Sequence, residues 1–597
     1  MDYAKIGLKC GLEVHQQLSS GKLFCSCSGD LREDDAPLKV KRYLRAVQGE
    51  QGGVDTAAMQ EQHRGRHFVY EAYDSTCLVE LDEEPPHRMN GEALRTAIEI
   101  SLLLKAQIVD VLQVMRKTVV DGSNTSGFQR TALLAHTGKV GDVGVRSICV
   151  EEDSARIVSN DHNHVVYRLD RLGVPLVEVS TEPDITTPQQ CLEVAEKLGM
   201  ILRSTGKVKR GLGTIRQDVN VSVAGGERVE IKGAQELKGF PLLVEIEAQR
   251  QLKLLEIMRE LKKRKARIDG KIIEVTPVFA KTAATMVKNT LTAHGVVLGM
   301  KLSGYQGLIG MEVQPGKRLG TEFSDYAKVK AGVGGIFHSD ELPKYGITAD
   351  EVATVRKKLS CKDEGFVLVV AEKWRAERAL LAVAERARLA LTGVPREVRR
   401  ANPDGTTNFL RPISTAARMY PETDIPLIVP DVRGIVLPEL IEDKVKRFVA
   451  LGLGGDLAVF VARSERAFLF DELVKSCKTV KPAFIAEMLT AKLLELKRDH
   501  SIDDVNDAHL RTLFTLIEDG KIAKDAALTV LVDLVKGTFD VGRYTTMSAL
   551  DLERELKALV AANKGAPFGA LMGMAVAKLK GRAGGKEIQE VLRKVMG

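Results

Sequence analysis

Apolar and polar residues alternate with period two in several short runs of the N-terminal half, and each run predicts a strand with one buried face. The clearest are residues 11–18 (GLEVHQQL), 174–180 (VPLVEVS), 214–223 (TIRQDVNVSV) and 228–233 (RVEIKG). In the first, Glu13, His15 and Gln17 share one face, with Leu12, Val14 and Gln16 on the other. In the third, Arg216, Asp218, Asn220 and Ser222 oppose Ile215, Val219, Val221 and Val223. In the fourth, Arg228, Glu230 and Lys232 oppose Val229 and Ile231. Amphipathic helices are expected between them over residues 92–105 and 188–205. A basic helix is expected over 253–267, and its charges suit a solvated face as well as a nucleic acid.

The texture changes at residue 282. Glycine clusters (Gly304, Gly307, Gly310; Gly332, Gly334, Gly335) precede a strand at 366–370 and a long helix at 374–391, predicting an α+β module of its own over 282–398. Residues 418–426 (RMYPETDIP) return to a loop-rich polar style, so the first domain, 1–281, is expected to be completed by 399–429. From residue 430 the spacing is helical, notably over 485–496 and 510–517, which predicts an all-α domain over 430–540. Residues 541–597 carry Lys578, Lys580, Arg582, Lys586, Arg593 and Lys594 and predict a small helical tail with a positive face. The expected fold class is multidomain α+β: an antiparallel-sheet domain interrupted by an inserted α+β module, then the helical domain and the tail. There is no internal repeat and no low-complexity tract.

Length agrees with this division, since 597 residues exceed the ~250 at which single cores stop growing. A hydrophobic share of 44% and a charged share of 28% fit a globular chain. The longest apolar runs, such as FVLVVA at 366–371, fall short of the ~18 residues that cross a bilayer. The start, MDYAKIGLKCGLEV, lacks the pattern of a secretory leader. Eight scattered cysteines do not form a disulfide framework, and a reducing cytoplasm is the expected compartment. The formal charge of +7 permits a nucleic-acid partner without demanding one.

The polar strand faces carry unusual chemistry. A half-exposed antiparallel sheet explains any one of them, but solvent-facing positions here repeatedly hold carboxylates, together with a histidine and basic residues. Glu178 lies between Val177 and Val179, and Glu151-Glu152-Asp153 follows Ile148-Cys149-Val150. Clustered carboxylates repel unless a cation sits among them. Oxygen-rich ligands with one imidazole suit Mg²⁺ or Mn²⁺ better than zinc, and such an ion commonly bridges nucleotide phosphates. No GxxxxGK[ST] or GxGxxG loop occurs. Phosphate candidates are Arg116-Lys117, the loop 121–127 (DGSNTSG), and Lys207, Lys209 and Arg210 before Gly211; each also reads as an ordinary polar turn. Cys25 and Cys27 with Cys77, and Cys10 as a further candidate, read either as a zinc site or as buried structural thiols. No cysteine is placed beside a histidine as a catalytic thiol.

These residues fall in ordered motifs: GLEVHQQL, the LFCSC turn, CLVELDEEPP (77–86), RKTVVDGSNTSGFQRT (116–131), CVEEDSAR, YRLDRLGVPLVEVSTEPD (167–184), RGLGTIRQDVNVSV and the C-terminal FGALMGMAVAKLKGRAGGKEIQEVL. Over essentially the whole chain they resemble the B/E family of tRNA-dependent amidotransferase components, in the archaeal form that carries DGSNTSGFQRT and an extra module before RMYPETDIP. The resemblance implies a cradle-shaped catalytic domain, a module similar to the insertion domain of bacterial-type aspartyl-tRNA synthetases, a helical domain and a tRNA-binding tail. It implies a ligase that uses ATP and Mg²⁺ to phosphorylate the side-chain carboxylate of Glu-tRNA(Gln), after which ammonia displaces the phosphate to give Gln-tRNA(Gln). It further implies a separate asparaginase-like amidase, the D-type partner of the amidotransferase, that makes the ammonia and passes it through a protected channel, glutamine being hydrolysed by the complex. The expected assembly is a cytoplasmic heterotetramer of two D-type and two E-type chains.

Carried over residue by residue, the resemblance implies Glu13, His15, Glu152 and Glu178 as metal ligands, with Asp218 a further acidic group of the site. Lys117, at the inner end of the ammonia channel, Glu152 and Asp218 become the catalytic residues. Arg116, Ser123, Asn124, Arg171 and Lys232 become contacts to ATP, Arg171 and Lys232 facing phosphates or the substrate carboxylate. Zinc at Cys25, Cys27 and Cys77 stays open. Two other readings are a non-catalytic tRNA-binding scaffold and a metal-dependent ligase for a small molecule. The presence of all four metal candidates weighs against the first, and the basic tail and inserted module against the second.

Overall fold

The computed structural model describes residues 1–597 apart from 49–51, 63–64, 120, 162–163, 415, 422, 501, 503, 545–546, 580–581 and 597. Lys580 of the basic tail thus lies outside the described residues. The chain forms two compact units, Met1–Leu437 and Pro438–Gly597.

The alternating runs of the first unit all become strands of one mixed sheet. Lys9–Gln17 is a central strand, with Pro175–Thr181, Val143–Glu152, Phe128–Val140, Val114–Thr118 and Met419–Tyr420 following on one side. Ile215–Ser222, Val229–Lys232, Glu397–Ala401 and Thr407–Pro412 follow on the other, and Gln107–Ile108 pairs with Phe128–Val140. All neighbours run antiparallel, as expected, except Val229–Lys232 and Glu397–Ala401, which are parallel. The exception follows from chain path: a long intervening segment, including the inserted region, returns the chain to the same edge in the same direction.

One face of this sheet is covered. Helix Pro188–Ser204 packs on Lys9–Gln17 and helix Phe240–Lys263 on Ile215–Ser222, burying Leu12, Val14, Val219 and Val221 at no more than 1% exposure. Thr187 caps the first helix through the amide of Gln190, with Pro188 in its first turn. The second helix is longer than its basic half predicts. It starts at Phe240 because Leu243, Val244, Ile246, Leu254, Leu255, Ile257 and Leu261 form a continuous buried stripe through residues the charge pattern does not reveal. The polar strand faces are left on the other side of the sheet.

A smaller sheet, Leu38–Arg42, His67–Ala72, His164–Arg168 and Arg156–Asn160, closes over Phe68, Tyr70, Val165, Tyr167 and Leu169. Further along, Ile272–Glu274, Val296–Leu302, Gly365–Ala371 and Phe337–His338 form a four-stranded sheet on its own core, which includes Phe279, Val297, Phe366 and Leu368. Its first strand precedes the expected boundary at 282. Helix Lys373–Thr392 follows the strand at Gly365–Ala371 as the sequence predicts.

A buried ion cluster ties these segments together. Glu322, on helix Leu319–Ala331, meets Arg250 at 3.0 Å, Arg386 at 2.9 Å and Arg399 at 3.0 Å, each from a different element. Glu247 and Glu397 bring the group to three carboxylates against three guanidiniums, all at most 2% exposed. Burial opposes ionisation of Glu322, yet the arginines hold its carboxyl well below the usual carboxylate range.

The second unit is helical throughout its described residues. Helices from Ile441–Ala450 to Ala527–Lys536 enclose Phe448, Phe470, Ile485, Leu510, Phe514 and Leu531. Helices Ala549–Ala562, Phe568–Lys578 and Gly585–Met596 form a last bundle around Leu552, Leu556, Leu571, Ile588 and Leu592. Lys578, Arg582, Lys586, Arg593 and Lys594 are exposed on it, with Lys578 paired to Glu555 at 2.9 Å. No helix among the described residues is long and apolar enough to cross a membrane.

Removing one member of the buried cluster strands the others. Glu322→Gln should destabilise the first unit by roughly 3–5 kcal/mol. Glu256→Gln, which breaks an exposed pair with Lys253, should cost under about 1 kcal/mol. Thermal unfolding of both variants beside the wild type tests this; equal shifts would refute the tying role.

Candidate active site

The site follows from strand register. His15 stands opposite Glu178 on one neighbouring strand and Arg216 on the other, and Glu13 stands opposite Asp218. Because side chains alternate, Glu13, His15, Glu178, Arg216 and Asp218 all emerge on the face the helices leave uncovered. They form the floor of a cavity of about 610 Å³. His15 Nε2 lies 3.1 Å from Glu13 Oε1, and its Nδ1 lies 3.8 Å from Glu178 Oε2. One donor atom from each of these three residues falls within 4.8 Å of the others, close enough to share one ion.

The walls are basic. Lys117 reaches across the sheet to place Nζ 3.1 Å from Glu151, two strands along, and 3.4 Å from Glu178, three strands along. Glu151 also accepts from Thr131 Oγ1 at 2.6 Å and Gln129 Nε2 at 3.0 Å. Lys232 pairs with Asp218, and with Glu230 at 2.7 Å. Arg216 is held by Asp153 at 2.7 Å, and Arg411, Ser414 and Arg418 close the cavity from residues 411–418.

Burial and the neighbouring Glu151 charge push the Glu178 carboxyl up to about 6. Burial also opposes ionisation of Glu13, but the hydrogen bond from His15 and the charges of His15, Lys232 and Lys117 hold its carboxyl well below the usual range. Burial disfavours protonation of His15, while Glu13, Glu178 and Glu151 outweigh it and raise its affinity for a proton. Lys117 stays charged against burial because Glu151 and Glu178 face it. Such a floor has more negative charge than its own lysines relieve, and it suits a hard divalent cation with oxygen and imidazole ligands.

A second group lies apart. Donor atoms of Cys25, Cys27, Cys77 and Glu80 come within 4.8 Å of one another, and Glu80 accepts from Cys25 Sγ at 2.9 Å and the Cys77 amide at 2.8 Å. Burial and the Glu80 charge raise the Cys25 thiol, and Cys27 is pushed up to about 11. Three sulfurs and one carboxylate are atoms of the kinds that zinc accepts as ligands. Cys10 is not among them; it is fully buried, with its sulfur 3.7 Å from that of Cys191.

The family described as the GatB/GatE catalytic domain matches residues 8–434. Curated relatives named as the E subunit of glutamyl-tRNA(Gln) amidotransferase include that of Methanocaldococcus jannaschii, 47% identical over 100% of this chain and 99% of the relative. Those of Thermococcus gammatolerans and Haloarcula marismortui are 46% and 44% identical, each over 99% of this chain and 98% of the relative. The chain belongs to the GatB/GatE amidotransferase family. It is the E-type component of this ligase class, as its motifs suggest.

Within this GatB/GatE fold the structure sorts the residues expected at the site. It brings Glu13, His15, Glu178, Lys117, Asp218 and Lys232 around one cavity. Glu152 is not among the residues that line it. It points to the opposite face of its strand and accepts from the Arg130 amide at 3.0 Å and guanidinium at 3.3 Å, while Glu151 takes the cavity position. Period-two alternation was the available signal: Ile148 and Val150 are buried on the Glu152 side, so Glu151 shares the face of Cys149. Arg116 also points away from Lys117, its guanidinium lying over Phe128 and Tyr420. Ser123 and Asn124 form a buried turn, Ser123 donating to Asp121 at 2.6 Å, and do not line the cavity. Arg171 braces the loop behind the site through the carbonyls of Ser154 and Ala155. Lys207, Lys209 and Arg210 are likewise not among the lining residues. Gln129, Thr131, Arg411 and Arg418 line it without having been expected there, Arg216 and Arg228 were read only as part of polar strand faces, and Glu151 only as one of a run of carboxylates.

The neighbouring glutamates should therefore separate cleanly. Glu151→Gln should lower amidotransferase turnover on the order of 100-fold and cost less stability than its neighbour, because Lys117 keeps Glu178 as a partner. Glu152→Gln, which leaves Arg130 buried without its partner, should instead destabilise the fold by about 3 kcal/mol. Turnover and thermal midpoints of the two variants, measured together, check the register; the reverse pattern would refute it.

Proposed function

We propose that this chain converts glutamate carried on tRNA(Gln) into glutamine, using ATP and Mg²⁺ to activate the side-chain carboxylate and ammonia to displace the phosphate. The observation that carries this reading is the Glu13–His15–Glu178 group on the floor of a cavity walled by Lys117, Arg216 and Lys232. The full-length relatives carry the name of a glutamyl-tRNA(Gln) amidotransferase, which supports it.

A carboxylate is a poor acylating agent, so amide formation requires a better leaving group and a place where water cannot intercept it. Glu13, His15 and Glu178 would hold Mg²⁺, the hydrogen bond between Glu13 and His15 orienting the imidazole. Bound there, the ion neutralises phosphate charge and polarises the transferring group. Lys232 and Arg216, fixed by Asp218 and Asp153, face the substrate carboxylate and keep it oriented. Lys117 stands at the opposite wall, where the ammonia enters. Attack by ammonia forms the C–N bond and expels phosphate, and the proton shed by nitrogen passes to Asp218.

The ammonia comes from a separate asparaginase-like amidase, the D-type partner, in an assembly of two D-type and two E-type chains, as the motif resemblance implies. The exposed basic residues of the last bundle, Arg582, Lys586, Arg593 and Lys594, bind the tRNA body. The Cys25, Cys27, Cys77 and Glu80 group holds a structural zinc, its thiols losing protons when the metal binds.

With Glu-tRNA(Gln), Mg²⁺, ATP and concentrated ammonium, the chain should form Gln-tRNA(Gln) without its partner, and Glu13→Ala, His15→Ala should lower the rate roughly 100-fold or more. Full activity of that variant would refute the metal site; no glutamine from wild type, even with the amidase partner added, would favour a tRNA-binding scaffold. Metal analysis of the purified chain should find about one zinc, lost in Cys27→Ser. A zinc-free, fully folded wild type would refute the second site.

A further inference from the structure

The cations of the cavity are not all accounted for by its carboxylates. Lys117, Arg216 and Lys232 each meet a carboxylate within 3.1 Å. Arg228, which also lines the cavity, is exposed to water. Arg411 and Arg418 differ. Arg418 donates from Nε to the Thr118 carbonyl at 3.0 Å and from Nη1 to Ser414 Oγ at 3.5 Å. Arg411 donates to the same Ser414 oxygen at 3.2 Å. Among the described residues, neither has a carboxylate within ion-pair distance, and both are partly withdrawn from water.

Two guanidiniums that share one neutral acceptor stand close together, and their like charges repel in a way that a bound anion relieves. Burial and the charge of Arg411 both depress the affinity of Arg418 for its proton, and the more distant carboxylates of Asp55, Asp121 and Glu151 do not make up the difference. Position adds a second observation. A neighbouring cavity of about 350 Å³ adjoins the first, and the residues lining both are Lys232, Arg411 and Arg418. Three cations thus mark the junction of two cavities. A single phosphodiester brings one charge to such a place; a polyphosphate brings several, in a chain that can run through the junction toward the Glu13–His15–Glu178 floor. Guanidiniums match phosphate oxygens through paired N–H donors, and among the described residues those of Arg411 and Arg418 meet neutral oxygens.

We propose that Arg411 and Arg418 bind the phosphate chain of the nucleotide that drives the reaction. This assignment rests on the ATP-dependent reading above. It gives residues 411–418, which rejoin the large sheet after the inserted segment, a direct part in substrate binding.

The test uses the chain assembled with its amidase partner and Glu-tRNA(Gln). Arg411→Gln and Arg418→Gln should each raise KM for ATP ~10- to 100-fold while KM for Glu-tRNA(Gln) stays within about twofold. Inorganic triphosphate should compete with ATP on the wild type and lose its inhibition in both variants. Arg411→Lys and Arg418→Lys, which keep the charge without the fork, should recover part of the loss, and unchanged thermal midpoints exclude misfolding. A rise in KM for Glu-tRNA(Gln) alone would overturn the proposal by assigning the anion to the RNA backbone. Unchanged KM for both substrates would overturn it outright. Failure of the wild type itself to require ATP would overturn the proposed function, a result distinct from failure of the arginine variants alone.

Discussion

Strand Lys9–Gln17 is hydrogen-bonded along both edges, and its register against Pro175–Thr181 and Ile215–Ser222 is the constraint from which the site follows. Slipping either pairing by one residue would turn Glu178 or Asp218 into the helix-covered core and bring a valine to the cavity. The apolar residues between them prevent that slip. Leu12, Val14, Val177, Val179, Val219 and Val221 are all buried at 1% exposure or less, so the carboxylates are held on the open face by what lies behind them.

Charge is then handled in two ways within the same unit. Around Glu322 the ions are paired one for one, sealed from water and given no room for a ligand. That arrangement joins helices Phe240–Lys263, Leu319–Ala331 and Lys373–Thr392 to the sheet edge at Glu397–Ala401. Around His15 the pairing is incomplete, with carboxylates crowded on the floor and arginines on the wall. Buried charge left unbalanced in a cavity is costly unless something of opposite sign is bound, which is why the second arrangement reads as a binding site and the first as a brace.

Much of this was legible in the residues. The strands carrying Glu13, His15, Glu178, Asp218 and Lys232 announced themselves by alternation, and the helices at 92–105 and 188–205 by three-and-four spacing. A motif resemblance does not carry the parity of the strand, which alone separates Glu151 from Glu152. A polar loop such as the one holding Ser123 and Asn124, and a basic pair such as Arg116 and Lys117, look alike in sequence whether they face a ligand or their own surroundings. Arg411 gave no signal and Arg418 showed only as the start of RMYPETDIP, since both reach the cavity only once the chain has left the N-terminal sheet motifs, crossed the inserted segment and returned.

The sequence by itself determined the family, the order of structural elements and the faces on which polar residues lie, because periodicity and motif are local properties of the chain. The tertiary structure alone decided that Glu151 rather than Glu152 meets Lys117, that Cys25, Cys27, Cys77 and Glu80 converge, and that two arginines without carboxylate partners among the described residues stand at the junction of two cavities. Each of those facts is a distance between residues far apart in sequence, fixed by strand register and by how the chain returns to the sheet, and no local pattern encodes it.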